Sequence, residues 1–355
     1  MYYNNDKMKT KVATVMDAPL RAGTRVLMRV DFNLPLDAQG QITDDKRLVD
    51  SLPTIQYCLQ QRAKVIICSH LGRPDGAPDP RYSLRPVYQC LCAHLPGVDV
   101  QFAPDCVGDA MREQVAKLAP GAVLLLENTR FHAGETANDP DFARQLASCG
   151  EIFVNDAFGT AHRAHASTVG VTQYLPGYAG LLMAREIQAL SQIIHSPERP
   201  FTVIVGGKKA ADKLPLAERL AARADYLLVG GKVAADWSAD PADCRAEIHV
   251  AHPVDRDITP ETIAEWQPII ARSRTIFWNG PLGQFEEPQY AVGTRVIAQA
   301  VVDSGAVSVV GGGDTAAAVK GFGFTHISTG GSAALEFVQG AELPGIHCLQ
   351  TKGVN

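Results

Sequence analysis

Val310-Gly311-Gly312-Gly313-Asp314-Thr315-Ala316-Ala317-Ala318 is the stretch around which the chain is organised. An apolar run, Val307 to Val310, enters it, and an Ala-rich run able to form a helix leaves it. Three glycines let backbone N–H groups turn inward, and the helix start adds unpaired N–H groups and partial positive charge. Such a turn makes an anion pocket, most often for phosphate, and on its own reads as readily as a tight strand-to-helix turn with no ligand. Asp314 could hold a cation that bridges phosphate oxygens, and Thr315 could add a hydroxyl donor. Gly311, Gly313 and Ala316 also fit the dinucleotide pattern G-x-G-x-x-A, which calls for an acidic residue at the end of the next strand. That strand, Thr325 to Thr329, ends instead in Gly330-Gly331-Ser332. A nucleotide phosphate is therefore favoured over a nicotinamide cofactor, and no P-loop sequence occurs.

Outward from this loop, short β-branched runs alternate with amphipathic segments. Strands are expected at Val26–Phe32, Lys64–Cys68, Val123–Leu126, Ile152–Asn155, Thr202–Val205, Tyr226–Val229, Thr275–Trp278, Val307–Val310 and Thr325–Ser328. Helices are expected at Leu52–Arg62, Asp139–Ala147, Met183–Ile194, Ala217–Ala224 and Val296–Val302. Continuous apolar strands with crossover helices mean an α/β protein, its parallel sheets covered on both faces. At 355 residues, two domains are expected. The run Leu175-Pro176-Gly177-Tyr178-Ala179-Gly180 reads as a structural break and places the boundary near 175, with residues 1–175 before it and 176–340 after. The residues from Leu343-Pro344-Gly345 onward read as non-helical.

In open parallel sheets, ligands bind beyond the carboxyl ends of the strands. In the first half these ends carry Asp31, Phe32 and Asn33, then His70-Leu71-Gly72-Arg73, then Arg130 and His132, then His162, Arg163 and His165, with Arg47 near the first strand. Such arginines and histidines suit a small ligand bearing both phosphate and carboxylate. Singly, each reads more readily as a solvated or core side chain than as a ligand-binding one; their coincidence at successive strand ends carries the inference. In the second half the ends carry Gly206-Gly207-Lys208-Lys209, Lys213, Gly230-Gly231, Asn279-Gly280-Pro281 and Gly311 to Thr315. Glycines with lysines suit a polyphosphate.

Composition narrows the class further. With 46% hydrophobic and 20% charged residues, the chain reads as an ordinary globular protein. A net charge of −5 argues against a nucleic-acid or acidic-membrane surface. No secretory leader and no apolar run of membrane-spanning length is read, so a cytoplasmic protein is expected. The eight cysteines include no C-x-x-C, and Cys90-x-Cys92 alone is a weak sign of metal.

Arg29-Val30-Asp31-Phe32-Asn33, Ser69-His70-Leu71-Gly72-Arg73-Pro74, the sixteen residues Asn155 to Gly170, Trp278-Asn279-Gly280-Pro281, Gly311 to Thr315 and Ser328-Thr329-Gly330-Gly331 resemble the phosphoglycerate kinase family, in family order from about Val26 to Gly345. The resemblance implies two Rossmann-like domains joined by a hinge helix, with the tail of about 340–355 packing back on the first. It implies a monomer that catalyses, in glycolysis and gluconeogenesis, reversible phosphoryl transfer between ATP and 3-phosphoglycerate, with Mg2+ and with hinge closure. It further implies that Asp31, Phe32, Asn33, Arg47, His70, Leu71, Gly72, Arg73, Arg130, His162 and Arg163 bind phosphoglycerate. By the same resemblance Lys209, Lys213, Asn279, Glu286, Gly312, Gly313, Asp314 and Thr315 face the nucleotide. Asp314 is then the metal ligand, and Arg47, Lys213 and Lys209 act on the transferring group.

Departures from the family cluster in the second half. Gly230-Gly231-Lys232-Val233-Ala234 replaces a Gly-Gly-Gly-Met-Ala loop, and the stretch between about 232 and 275 is shorter than in the family by some tens of residues. Two readings follow: an active kinase with a trimmed purine pocket, in which Lys232 could contact the nucleotide, or a catalytically impaired relative that binds phosphoglycerate or a protein partner. Retention of Lys209, Lys213, Asp314, Thr315 and Glu286 favours the first.

Overall fold

The computed structural model describes residues 2–5, 8–208, 210–238, 244–252, 256–349 and 351–352. The chain divides into two compact units, Met1–Gln188 with Glu342–Asn355, and Ala189–Ala341. The division falls inside the helix Leu181–His195.

Strands β1 (Tyr2–Asn5) and β2 (Met8–Val12) form an antiparallel hairpin. The first unit's main sheet then collects β3 (Arg25–Arg29), β4 (Lys64–Cys68), β5 (Val100–Phe102), β6 (Val123–Leu125), β7 (Ile152–Asn155) and β8 (Gly177–Ala179). Their spatial order is β5-β6-β4-β3-β7-β8, every pairing parallel. The central strands are apolar on both faces because both are covered. Val26, Met28, Val65, Ile67 and Val154 pack with Leu48, Ile55, Val87 and Leu91 from helices on one side, while Leu27, Ile66, Leu124 and Phe153 are equally buried on the other.

The second unit collects β9 (Phe201–Val205), β10 (Tyr226–Val229), β11 (Glu247–Val250), β12 (Thr275–Asn279), β13 (Val307–Gly311) and β14 (His326–Ile327). Its order is β11-β10-β9-β12-β13-β14, again all parallel. This is the doubly wound order, whose direction reverses between β9 and β12, where such sheets bind ligands. Trp266, Ile269 and Ile270 of the helix Pro260–Arg272 pack with Ile204, Leu228, Ile276 and Trp278 to form its core. β15 (Thr351–Lys352) returns to pair with β2.

Several expectations need correcting. The run around Gly177 is no break: it forms the edge strand β8, in register with Phe153 to Asn155. Pro176 precedes this strand and gives its carbonyl to the Phe153 N–H at 2.9 Å, which an edge position permits. Pro344–His347 makes one helical turn, with Pro344 at the first position where its missing N–H is harmless. The first sheet strand stops at Arg29 rather than Phe32, because the Phe32 N–H turns to Ser69 Oγ at 2.9 Å. The helices around Pro53 and Pro215 begin earlier than read, at Lys46 and Ala210, and carry those prolines inside.

Candidate active site

In the first unit, residues beyond the strand ends surround a cleft of about 550 Å³ lined by Arg73, Arg130, Arg163, His165, Asp75 and Gly76, among others. Arg130 is 7% exposed; NH1 donates to the Gly72 carbonyl at 2.7 Å, and its buried Nε has no partner among the described residues. Burial, and then the neighbouring Arg29 and Arg163 charges, bring its pKa down to about 10, so it stays cationic at neutral pH. Arg163 Nε lies 3.1 Å from His162 Nε2.

A second group hangs from the ends of β3 and β4. Arg47, from the helix Lys46–Gln60, pairs with Asp31 at 3.1 Å and donates to the Asn33 carbonyl at 3.3 Å. The Asn33 side chain accepts the Gly72 N–H at 2.9 Å and so ties the two strand-end loops together. Gly72 has φ +60°, and a Cβ there would lie 2.2 Å from the Tyr82 ring, so only glycine fits. Phe32 and Leu71 are buried and belong to the hydrophobic core of this unit.

The reading of single residues missed a buried chain of polar groups behind this rim. Glu135, fully buried, accepts the Ser167 hydroxyl at 2.6 Å and the Ser167 N–H at 2.9 Å. Arg29, also fully buried, donates to Ser167 Oγ at 2.8 Å and to His70 Nδ1 at 3.0 Å. An arginine can only donate, so His70 Nδ1 is the acceptor and the ring proton sits on Nε2. Burial first, and then Arg29, Arg130, Arg47 and Arg163, hold His70 well below the usual imidazole range and keep it neutral. His165 is lowered to about 4, by burial first, against the opposing pull of Glu135. No motif or spacing signals Glu135; Arg29 and Ser167 both sit in quoted motifs, Arg29 at a strand position that reads as core and Ser167 with nothing local to name its partner.

In the second unit, three glycine turns pack on each other. A Cβ on Gly206 would lie 2.5 Å from the Pro281 carbonyl, one on Gly231 2.8 Å from the Gly207 nitrogen, and one on Gly280 2.0 Å from the Gly206 carbonyl. Those glycines therefore serve loop contact, whereas Gly313 faces open space. Asn279, fully buried, donates to the Gly311 carbonyl at 2.7 Å and accepts from Lys213 Nζ. Thr315 is 1% exposed and its hydroxyl accepts the Gly280 N–H at 2.7 Å, so that oxygen is committed to the neighbouring loop. Asp314 is exposed in the first turn of the helix Gly313–Ala318. Glu286 pairs with Lys208 at 3.0 Å, both exposed. Lys209 lies outside the described residues. Lys232 is exposed; its N–H donates to the Gly207 carbonyl at 3.1 Å.

A family model described as phosphoglycerate kinase matches residues 16–240 and 238–341. The chain belongs to the phosphoglycerate kinase family. A phosphoglycerate kinase of Koribacter versatilis is 45% identical, the alignment covering 92% of this chain and 96% of the relative. One of Pelotomaculum thermopropionicum is 43% identical over 96% and 99%. Among solved structures, the phosphoglycerate kinase of Coxiella burnetii matches with a TM-score of 0.81 at 34% identity, covering 95% of this chain and 98% of that one. That of Pyrococcus horikoshii matches at 0.82 and 31%, with the same coverage. The family transfers a phosphoryl group between 1,3-bisphosphoglycerate and 3-phosphoglycerate, and the chain is a kinase of that family. The two matched stretches meet at residues 238–240, inside the stretch that reads as short.

Proposed function

We propose that the arginine cleft of the first unit holds 3-phosphoglycerate and the glycine turns of the second hold ATP, with Arg47 and Lys213 acting on the phosphoryl group in transit. The observation that carries this reading is the cleft itself. Arg73, Arg130 and Arg163 line one cavity, and the buried Nε of Arg130 awaits an acceptor. Arginine forks match phosphate and carboxylate two oxygens at a time. His70, fixed as an Nε2–H donor by Arg29, offers a neutral hydrogen bond beside those charges.

The acceptor is already a carboxylate, so no general base is needed. Catalysis then reduces to holding donor and acceptor in line and neutralising charge on the phosphoryl oxygens. Lys213, held through Asn279 to the Gly311 turn, brings an ammonium to the reversal point of the second sheet. Asp314 fits a Mg2+ ion, which takes one or two carboxylates and completes its shell with phosphate oxygens and water. When bound, that ion supplies charge neutralisation on the nucleotide phosphates. Glu286 is assigned to the ribose by resemblance, and its pairing with Lys208 would then be exchanged for nucleotide. The reading extends to a monomer acting in the cytosol, in keeping with eight free thiols.

The test is 3-phosphoglycerate-dependent ADP formation with magnesium, run with ATP and with GTP. Lys213→Ala and Arg47→Ala are each expected to abolish turnover. Turnover that survives both substitutions sinks the residue assignment. Binding of 3-phosphoglycerate but not of ATP, with no turnover, sinks the nucleotide site.

A further inference from the structure

Outside this site, three unlike side chains converge in the first unit. Asp45 precedes the helix Lys46–Gln60, while Cys90 and His94 lie four residues apart on the helix Arg85–His94 and so share one face. Cys92, two residues from Cys90, points away from that face, so the C-x-C spacing carries nothing. The Cys90 Sγ, a His94 ring nitrogen and an Asp45 carboxylate oxygen all lie within 4.8 Å of one another. His94 Nε2 and Asp45 Oδ2 are 2.8 Å apart.

We propose that Asp45, Cys90 and His94 form a site for a thiophilic divalent cation, zinc by preference. The donor set is one sulfur, one imidazole nitrogen and one carboxylate oxygen, three protein ligands with a fourth position left to water, which is the pattern of an open zinc site. Thiolate and imidazole favour zinc over the magnesium of phosphotransfer, so the two ions do not compete. All three residues are partly exposed, which gives an ion a path in. Tetrahedral zinc spaces its ligand atoms about 3.3–3.8 Å apart. The His94–Asp45 hydrogen bond opens by about half an ångström to admit it, with the ring proton moving to Nδ1 and the Cys90 thiol releasing its proton to water. The Asp45 side chain makes no capping bond to its helix and is free for this. The Asp45 carbonyl accepts the Leu48 and Val49 N–H groups at 2.9 and 3.1 Å, so a bound ion fastens the first turn of the helix that carries Arg47.

Among the described residues a second Asp–Cys–His group, Asp105, Cys106 and His132, supplies a control. Its thiol is fully buried and Asp105 Oδ1 is already taken by the Cys106 N–H at 2.6 Å.

The test uses the full chain and Co2+ as a spectroscopic probe, followed by Zn2+ calorimetry and thermal unfolding. One equivalent of Co2+ should give a thiolate-to-cobalt charge-transfer band that persists in Cys106→Ser and vanishes in Cys90→Ser. His94→Gln and Asp45→Asn should each weaken Zn2+ binding by about tenfold or more, since loss of an outer-shell partner alone costs about that much. Zinc should raise the unfolding temperature of the wild type and leave that of Cys90→Ser unchanged. No charge-transfer band, or a band that Cys106→Ser removes and Cys90→Ser keeps, overturns the proposal. None of these readouts depends on turnover, so they stand apart from the kinase assignment.

Discussion

Asp156 Oδ1 accepts the backbone N–H of Leu182 at 2.9 Å and that of Met183 at 3.1 Å, so a fully buried carboxylate caps the helix Leu181–His195. The contact is so close that a Cβ on Gly180 would lie 2.0 Å from this oxygen. Burial raises the Asp156 pKa from 3.8 to about 6, against the lowering by its hydrogen bonds from Thr54, Met183 and Leu182. Stability from this group is fully present below about 3.8 and is lost as the pH rises through about 6. Asp156→Asn keeps an accepting oxygen and removes the charge. Urea unfolding at pH 5 and pH 7.5 should therefore show a smaller fall for Asp156→Asn than for the wild type, and parallel falls would refute this account. Asp156→Ala, which leaves two buried N–H groups without an acceptor, should cost about 2 kcal/mol at pH 5 and less at pH 7.5, where the wild type has lost what its protonated carboxyl contributes.

His70 should remain neutral through the physiological range. Burial and four arginines lower its pKa well below 6.5, so its imidazole resonances should show no titration around neutral pH. Under the proposed function His70→Ala removes one hydrogen bond to a charged ligand, worth about 1.5–3 kcal/mol. The KM for 3-phosphoglycerate should rise about tenfold or more while the KM for ATP holds. An equal rise in both would show a general structural defect instead.

Asn279 joins Lys213 to the Gly311 turn, and its loss should be read in kcat. Asn279→Ala removes one hydrogen bond that positions the ammonium, and a misplacement of about 1 Å can cost about a hundredfold in rate. It also strips the buried Gly311 carbonyl of its donor, at about 1–3 kcal/mol of stability. A variant that loses the stability but keeps kcat would show that Lys213 needs no such anchor.

Two glycines of the second unit should behave oppositely. Gly280 has φ +97°, with the Gly206 carbonyl 2.0 Å from any added Cβ. Gly280→Ala should therefore cost about 3 kcal/mol or more, from backbone strain and overpacking together. Gly313 has open space and is the first residue of its helix, so an added methyl meets no neighbour there. Gly313→Ala should unfold no earlier than the wild type, yet its methyl would stand where a phosphate approaches, raising the KM for ATP. An unchanged KM would remove Gly313 from the nucleotide site.

What local sequence determined here was the alternation of strands and helices and the chemistry at each strand end. β-branched apolar runs such as Lys64–Cys68 and Ile152–Asn155 name themselves, because a strand buried on both faces has no polar side to blur it. The motifs after those strands are contiguous, so His70, Arg73, Arg163 and Asp314 could be read as candidates one by one. Tertiary structure decided the rest, because strand order and the partners of buried polar groups are long-range facts. Nothing near Glu135 announces that it serves Arg29 through Ser167, nor does Asp156 announce a helix cap, since a buried polar group takes its partner from wherever the fold brings one. For the same reason Gly206, Gly231 and Gly280 read as phosphate-binding turns until their loops meet, and residues 45, 90 and 94 have no connection in sequence. Parallel pairing across crossovers brings such distant positions together, and local periodicity carries no record of it.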